Sequence, residues 1–186
     1  MNPSDQLRPG AEAISTLIAG MSPDQLDNPT PCEQWTVREL LNHLVGGAHM
    51  FANAFTGQAP TAQEGPVDLL GGDPAAAWQG AVDAFAAGVD APGALDNIVP
   101  MAWGPTPGTI VYELLKFDVL VHAWDLARGT GQQVALPDEL VEGTIGVAQQ
   151  FISPDLRTSG AFGPEREAPA GASPIERLAA FTGRSV

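Results

Sequence analysis

The sequence predicts an all-α fold: a bundle of four main helices with short satellite helices and a loop-rich C-terminal tail. Three observations predict it. Apolar residues recur every three or four positions through long segments, helix-start signals precede those segments, and no internal repeat and little alternating, strand-like pattern is present. At 186 residues with 44% hydrophobic and 16% charged residues, the chain has a globular composition and is expected to form one domain over 1–186.

The elements follow in order. Leu7, Ala11, Ile14, Leu17 and Ile18 form the apolar stripe of a helix over 5–20. Ser22-Pro23 suits a short helical turn, and Asn28-Pro29-Thr30-Pro31 forces an extended approach to the next element. Thr36-Val37-Arg38-Glu39 fits a capping box, in which threonine and glutamate satisfy each other's orphan amides. Val37, Leu40, Leu41, Leu44, Val45 and Ala48 then line one helical face. On that wheel His43 sits about 120° from the centre of the stripe, on its flank.

Residues 56–72 read as a Gly/Pro/Gln loop, and Asp73-Pro74 starts a third helix with Trp78, Ala81, Val82, Phe85 and Val89 inward. Residues 90–108 read as a long proline-rich connection anchored by Ile98 to Trp103, and this segment is a candidate pocket wall. From Pro107 to Arg128, with Thr106 as the expected cap, apolar residues surround nearly the whole circumference, as in a central bundle helix. Gly129 and Gly131 end it. A further long helix is expected from Pro137 to Ile152, then a loop from Ser153, then a short helix opened by Ser173-Pro174-Ile175-Glu176.

With 22 acidic against 8 basic residues, one of the latter lysine, the net charge is −14. No basic run is available to neutralise phosphates or an anionic membrane surface, so nucleic-acid and membrane partners are not expected. The polar start, Met1 to Gly10, lacks a secretory pattern, and no apolar stretch is long enough to span a bilayer; a cytoplasmic protein is expected. The lone Cys32 forms no intramolecular disulfide, and reads either as a small buried hydrophobe or as a thiol with chemistry.

On the central helix Asp118 and His122, four apart, stack on one face, and Asp125 follows on the same side. Their angular neighbours Val111, Leu114, Leu115 and Val121 are apolar, whereas Glu113 and Lys116 fall elsewhere. A carboxylate and an imidazole inside a bundle must be paired or metal-bound, because an unpaired buried charge costs several kcal/mol, of order 3–5 kcal/mol when a partner is removed. Spacing alone favours an ordinary Asp–His hydrogen bond over a metal site. His43 is the natural third partner, and His43, Asp118 and His122 together describe an open divalent site, best suited to Zn²⁺ with Ni²⁺ or Fe²⁺ also fitting. Asp125 could orient a ligand by accepting its outer N–H, and His49 points to the opposite flank. No nucleophile elbow or phosphate loop is present.

The stretch Thr30-Pro31-Cys32-Glu33-Gln34-Trp35-Thr36-Val37-Arg38-Glu39-Leu40-Leu41-Asn42-His43-Leu44 resembles the opening motif of the mycothiol-dependent maleylpyruvate isomerase N-terminal domain, within the DinB-like superfamily. Asp118-Val119-Leu120-Val121-His122-Ala123-Trp124-Asp125-Leu126-Ala127 resembles the second motif of an actinobacterial metal-binding subgroup, and Phe162 to Glu165 with Arg177 to Arg184 resembles its C-terminus.

The resemblance implies a DinB-like four-helix bundle holding a divalent ion, usually zinc, and its ligand positions map onto His43, Asp118 and His122. It also implies mycothiol, a small-molecule thiol, as co-substrate. The expected chemistry is that of a transferase or isomerase-like enzyme in which the metal yields a thiolate that attacks an electrophilic substrate. Two departures stand out. Asp replaces the usual Glu at 118, and the isomerase's second, C-terminal domain has no counterpart in 186 residues, so maleylpyruvate isomerisation itself is not expected. The alternatives are a non-catalytic metal-binding or regulatory bundle and a metal-dependent hydrolase. A homodimer is compatible with the sequence.

Overall fold

One helix, buried on nearly every side, organises the chain. The computed structural model describes residues 2–33, 35–58, 67–158 and 162–186. Among these, α1 (Pro3–Gly20), α2 (Val37–Phe55), α3 (Pro74–Val89) and α4 (Gly108–Gly129) form the main bundle. α5 (Asp138–Phe151), α6 (Pro154–Thr158) and α7 (Pro174–Phe181) follow. Part of the loop expected over 56–72, residues 59–66, lies outside the described residues, as does Gln34 of the opening motif. No helix among the described residues is long and apolar enough to cross a membrane.

The two sides of α4 serve two cores. Val111, Leu115, Val119, Ala123 and Leu126 pack with α1, α2 and α3, whereas Phe117, Leu120 and Val121 pack with Val141, Ala148 and Ile152 and with Leu178 of α7. Coverage on both sides explains why its apolar residues run round the whole circumference instead of forming a stripe. Lys116 is buried on this helix, paired with Glu113 and set over the Tyr112 ring.

Local signals place the helix ends. The Thr36 N–H donates to Glu39 Oε2 at 2.7 Å and Thr36 Oγ1 accepts from the Glu39 N–H, so the capping box opens α2 as read from the sequence. Asp73 Oδ1 caps α3 by accepting from Ala75 and Ala76 N–H. Ser4 hydrogen-bonds to Asp90 through both its N–H and its hydroxyl, tying the start of α1 to the end of α3. At the end of α4, Gly131 takes a left-handed φ of +66° and Gln132 N–H donates back to Ala127 O at 2.8 Å. The side chains of Gln25 and Asn28 cap the carbonyls of Thr130 and Gly129. These two contacts seat the extended 28–36 segment against the C-terminal end of α4.

Three readings change. The 90–108 connection contains a hairpin, β1 (Ile98–Met101) and β2 (Gly104–Pro107), antiparallel with Met101 opposite Gly104. Its prolines fall in alternate pairs, Ile98–Pro107 and Pro100–Pro105, leaving Val99–Thr106 and Met101–Gly104 to exchange amide hydrogen bonds. Proline content hid the strands, since proline normally argues against one. Thr106 is consequently a strand residue whose hydroxyl bonds within the hairpin, and Pro107 occupies the cap position of α4. Thirdly, α6 interrupts the tail that reads as loop from Ser153.

Trp78 is 2% exposed and its indole N–H donates to Ala11 O at 3.2 Å, joining α3 to α1. Trp78→Ala is expected to lower stability by about 3–5 kcal/mol, read as a lower denaturant midpoint at unchanged slope.

Candidate metal centre

His43 lies two turns into α2, and its ring meets α4 where Asp118 and His122 project. His43 Nε2 is 3.1 Å from Asp118 Oδ1 and 3.2 Å from Oδ2, and His122 Nε2 is 3.3 Å from Oδ1 of the same carboxylate. One donor atom from each residue can be chosen so that all three lie within 4.8 Å of one another. Donors about 2.0–2.1 Å from a tetrahedral ion lie roughly 3.3 Å apart, so this spacing fits a divalent metal. Gly47, one turn beyond His43, helps: a β-carbon there would stand 4.0 Å from Asp118 Oδ2, and a longer side chain would crowd the carboxylate. The shorter Asp at position 118 reaches both imidazoles. His49 is exposed and takes no part.

The three side chains are unequally enclosed. His43 is 34% exposed, Asp118 22% and His122 9%, so the cluster opens towards one side. There it joins a cleft of about 560 Å³. Trp35 and Pro31 come from the extended segment before α2, Phe117 and Val121 from α4, and Phe162 and Pro164 from the tail. The Trp35 ring centroid is 4.5 Å from that of His43 and 5.6 Å from that of His122, so the indole covers both imidazoles. Residues 90–108 do not line this cleft, contrary to their reading as a pocket wall. They pack at the start of α4, roughly 21 Å along the helix from His122 at 1.5 Å per residue. Cys32 does line it, half-buried, and burial pushes its thiol pKa up.

Behind the cluster, His122 Nδ1 is 2.9 Å from Asp125 Oδ2, the outer partner expected from the spacing. Asp125 has no exposed side-chain surface, and Arg184 grips it: Nε donates to Oδ1 at 2.8 Å and Nη2 to Oδ2 at 2.6 Å. The sequence reading assigned Arg184 no role. A signal existed, since Gly183 follows the last apolar residues of a short helix, the pattern of a left-handed helix end. Gly183 indeed has φ +99°, and a β-carbon there would lie 2.6 Å from Gly163 Cα.

Electrostatics follow from this geometry. Burial opposes ionisation of Asp118, but the His122 and His43 imidazoles outweigh it and hold the carboxyl well below its usual range. Burial likewise lowers the pKa of the His122 imidazolium, yet Asp118, with Asp125 behind, raises it to about 9. For Asp125, burial is again outweighed, by hydrogen bonds from His122 and Arg184 that lower its pKa.

The fold and site define an all-α, DinB-like bundle carrying a His–Asp–His cluster that could hold a divalent metal. The chain belongs to the mycothiol maleylpyruvate isomerase N-terminal domain family, whose model matches residues 7–127. That span includes His43, Asp118, His122 and Asp125 and stops short of Arg184. Similar proteins include an uncharacterized protein of Mycobacterium tuberculosis strain CDC 1551 / Oshkosh and one of strain ATCC 25618 / H37Rv. Each is 37% identical over 177 residues, covering 94% of this chain and 93% of the relative. No solved structure matches the chain significantly.

Proton binding at His122 stabilises the metal-free fold fully below an unfolded-state value of about 6.5, and the contribution is lost as pH rises through about 9. Metal competes with that proton. Apparent zinc affinity, measured by chelator competition, is expected to rise by up to about tenfold per pH unit between roughly pH 6.5 and 9, while the metal-free melting temperature falls across the same window.

Proposed function

We propose that the protein binds one divalent metal, zinc by ligand chemistry, through His43, Asp118 and His122. We further propose that it uses a low-molecular-weight thiol, mycothiol, in a transferase or isomerase-like reaction in the cytoplasm, with 1–186 acting as one domain. The observation that carries this reading is the convergence of three donors at the wall of a cleft large enough for a small molecule. Two imidazoles and one carboxylate suit zinc, with nickel and iron as the other metals that share such donors. The family supplies the thiol.

A divalent ion at these donors would supply Lewis acidity, which lowers the pKa of a thiol or of water. The chain's own residues divide the remaining work. Asp125 accepts at His122 Nδ1 and leaves Nε2 turned towards Asp118. Trp35 lies against both imidazoles, and Phe117 and Phe162 offer apolar wall to the substrate. Cys32 lines the same cleft, and burial pushes its thiol pKa up. In the addition step the thiol S–H is split. Sulfur bonds the electrophilic carbon, and the proton goes to the neighbouring atom that receives the displaced electron pair. In an isomerase-like cycle the adduct afterwards eliminates and returns the thiol.

Purified without an affinity tag after growth with zinc, the wild type is expected to carry about one equivalent of metal and His122→Ala very little; under roughly a tenth of an equivalent in the wild type overturns the reading. Mycothiol is expected to raise the melting temperature of the zinc-loaded protein, because a ligand specific for the folded state adds about 2.7 kcal/mol at one hundred times its Kd. If metal is bound but neither mycothiol nor a panel of electrophiles moves that temperature, the non-catalytic bundle replaces the enzyme. Turnover of ester or amide substrates without thiol would instead mark a hydrolase.

A further inference from the structure

We propose that Arg184 is a positioning residue of the metal centre: through Asp125 it orients His122 so that Nδ1 carries the proton and Nε2 faces His43 and Asp118. The inference rests on the metal-binding reading above, but concerns a residue outside the span that the family model matches.

The hydrogen-bond geometry carries it. Asp125 Oδ2 is shared between His122 Nδ1 at 2.9 Å and Arg184 Nη2 at 2.6 Å, while Oδ1 receives Arg184 Nε at 2.8 Å. The planar guanidinium fork therefore sets the plane of the carboxylate, and with it the point from which Oδ2 meets the imidazole. A neutral imidazole has one donor and one acceptor nitrogen. Of the two carboxylates that compete for its proton Asp125, 2.9 Å from Nδ1, stands nearer than Asp118, 3.3 Å from Nε2, so the proton goes to Nδ1. The lone pair is thereby placed on Nε2, 3.3 Å from Asp118 Oδ1.

The arginine is itself held on three sides. Its Nη1 donates to Thr182 Oγ1 at 2.9 Å, and that hydroxyl donates to Ala179 O at 2.7 Å. Its backbone N–H donates to Ala179 O at 3.1 Å, and the N–H of the left-handed Gly183 donates to Ala180 O at 2.9 Å, which closes the end of α7. Arg166 fastens the same turn from outside, with its N–H on Ala180 O and its Nε on Gly183 O. α7 packs on α4 through Leu178, so the turn and the helix bearing His122 share one core.

The test uses the full chain with ¹⁵N-labelled histidine. In the metal-free protein at about pH 10.5, where imidazoles are neutral, long-range ¹H–¹⁵N spectra assign the His122 tautomer. The wild type is expected to show Nδ1–H alone. Arg184→Ala is expected to show a mixture, and to bind zinc about 10–100-fold more weakly by chelator competition. Arg184→Lys keeps the charge but not the fork, and is expected to fall between. It also decides the matter if the alanine variant does not fold. A purely structural arginine would lower the melting temperature while leaving the tautomer pure and zinc affinity within about twofold, and that result overturns the proposal. If the wild type binds no zinc, the metal reading fails, and the tautomer measurement still decides the role of Arg184.

Discussion

A carboxylate with no exposed surface, Asp125, is the constraint around which the rest of the site is arranged. Burying an ion costs several kcal/mol unless charge and hydrogen bonds are returned to it, and removing one partner of such a pair typically costs about 3–5 kcal/mol. Here the return comes from two directions, His122 on the same helix and Arg184 from a turn 59 residues further along. Enclosing Asp125 therefore recruits the C-terminal segment, and the segment brings Phe162, Pro164 and Arg166 to the cleft. One buried charge links the His122 imidazole, the end of α7 and a wall of the cavity.

The double-sided burial of α4 makes this arrangement affordable in space. Its first face closes the core with α1, α2 and α3, and its second closes a smaller core with α5 and α7. Polar residues fit on such a helix only where the two cores part, and Asp118, His122 and Asp125 lie along that line. His43 arrives there from α2 because the capping box fixes where that helix begins, while Asn28 and Gln25 fix the segment before it to the end of α4. Trp35 follows from the same attachment.

Much of this was legible in advance, and the residues say why. The helix starts at Thr36, Asp73 and Ser173 depend on contacts within three residues, so sequence order is enough to read them. The stacking of Asp118 and His122 is a property of the α-helix itself. His43 could be placed on the flank of its helix by angle, and the family motif agreed with that placement. The hairpin of 98–107 escaped because its prolines imitate a linker, and the alternation that accommodates them is visible only once the register is known. Arg184 escaped because its carboxylate partner, Asp125, lies 59 residues away on another helix, beyond the reach of any local pattern.

By itself, then, the sequence determined the all-α class, the starts of α2 and α3, and the stacking of Asp118, His122 and Asp125 on one face of α4. All of these rest on helical periodicity or on interactions spanning a single turn. The tertiary structure alone decided which surfaces close the cleft, that residues 90–108 are not among them, and that Arg184 meets Asp125. The physical reason is that a buried ion takes its partner from whichever segment packing delivers. In this chain that segment is the turn after α7, held by Gly183 against Gly163 where no side chain fits.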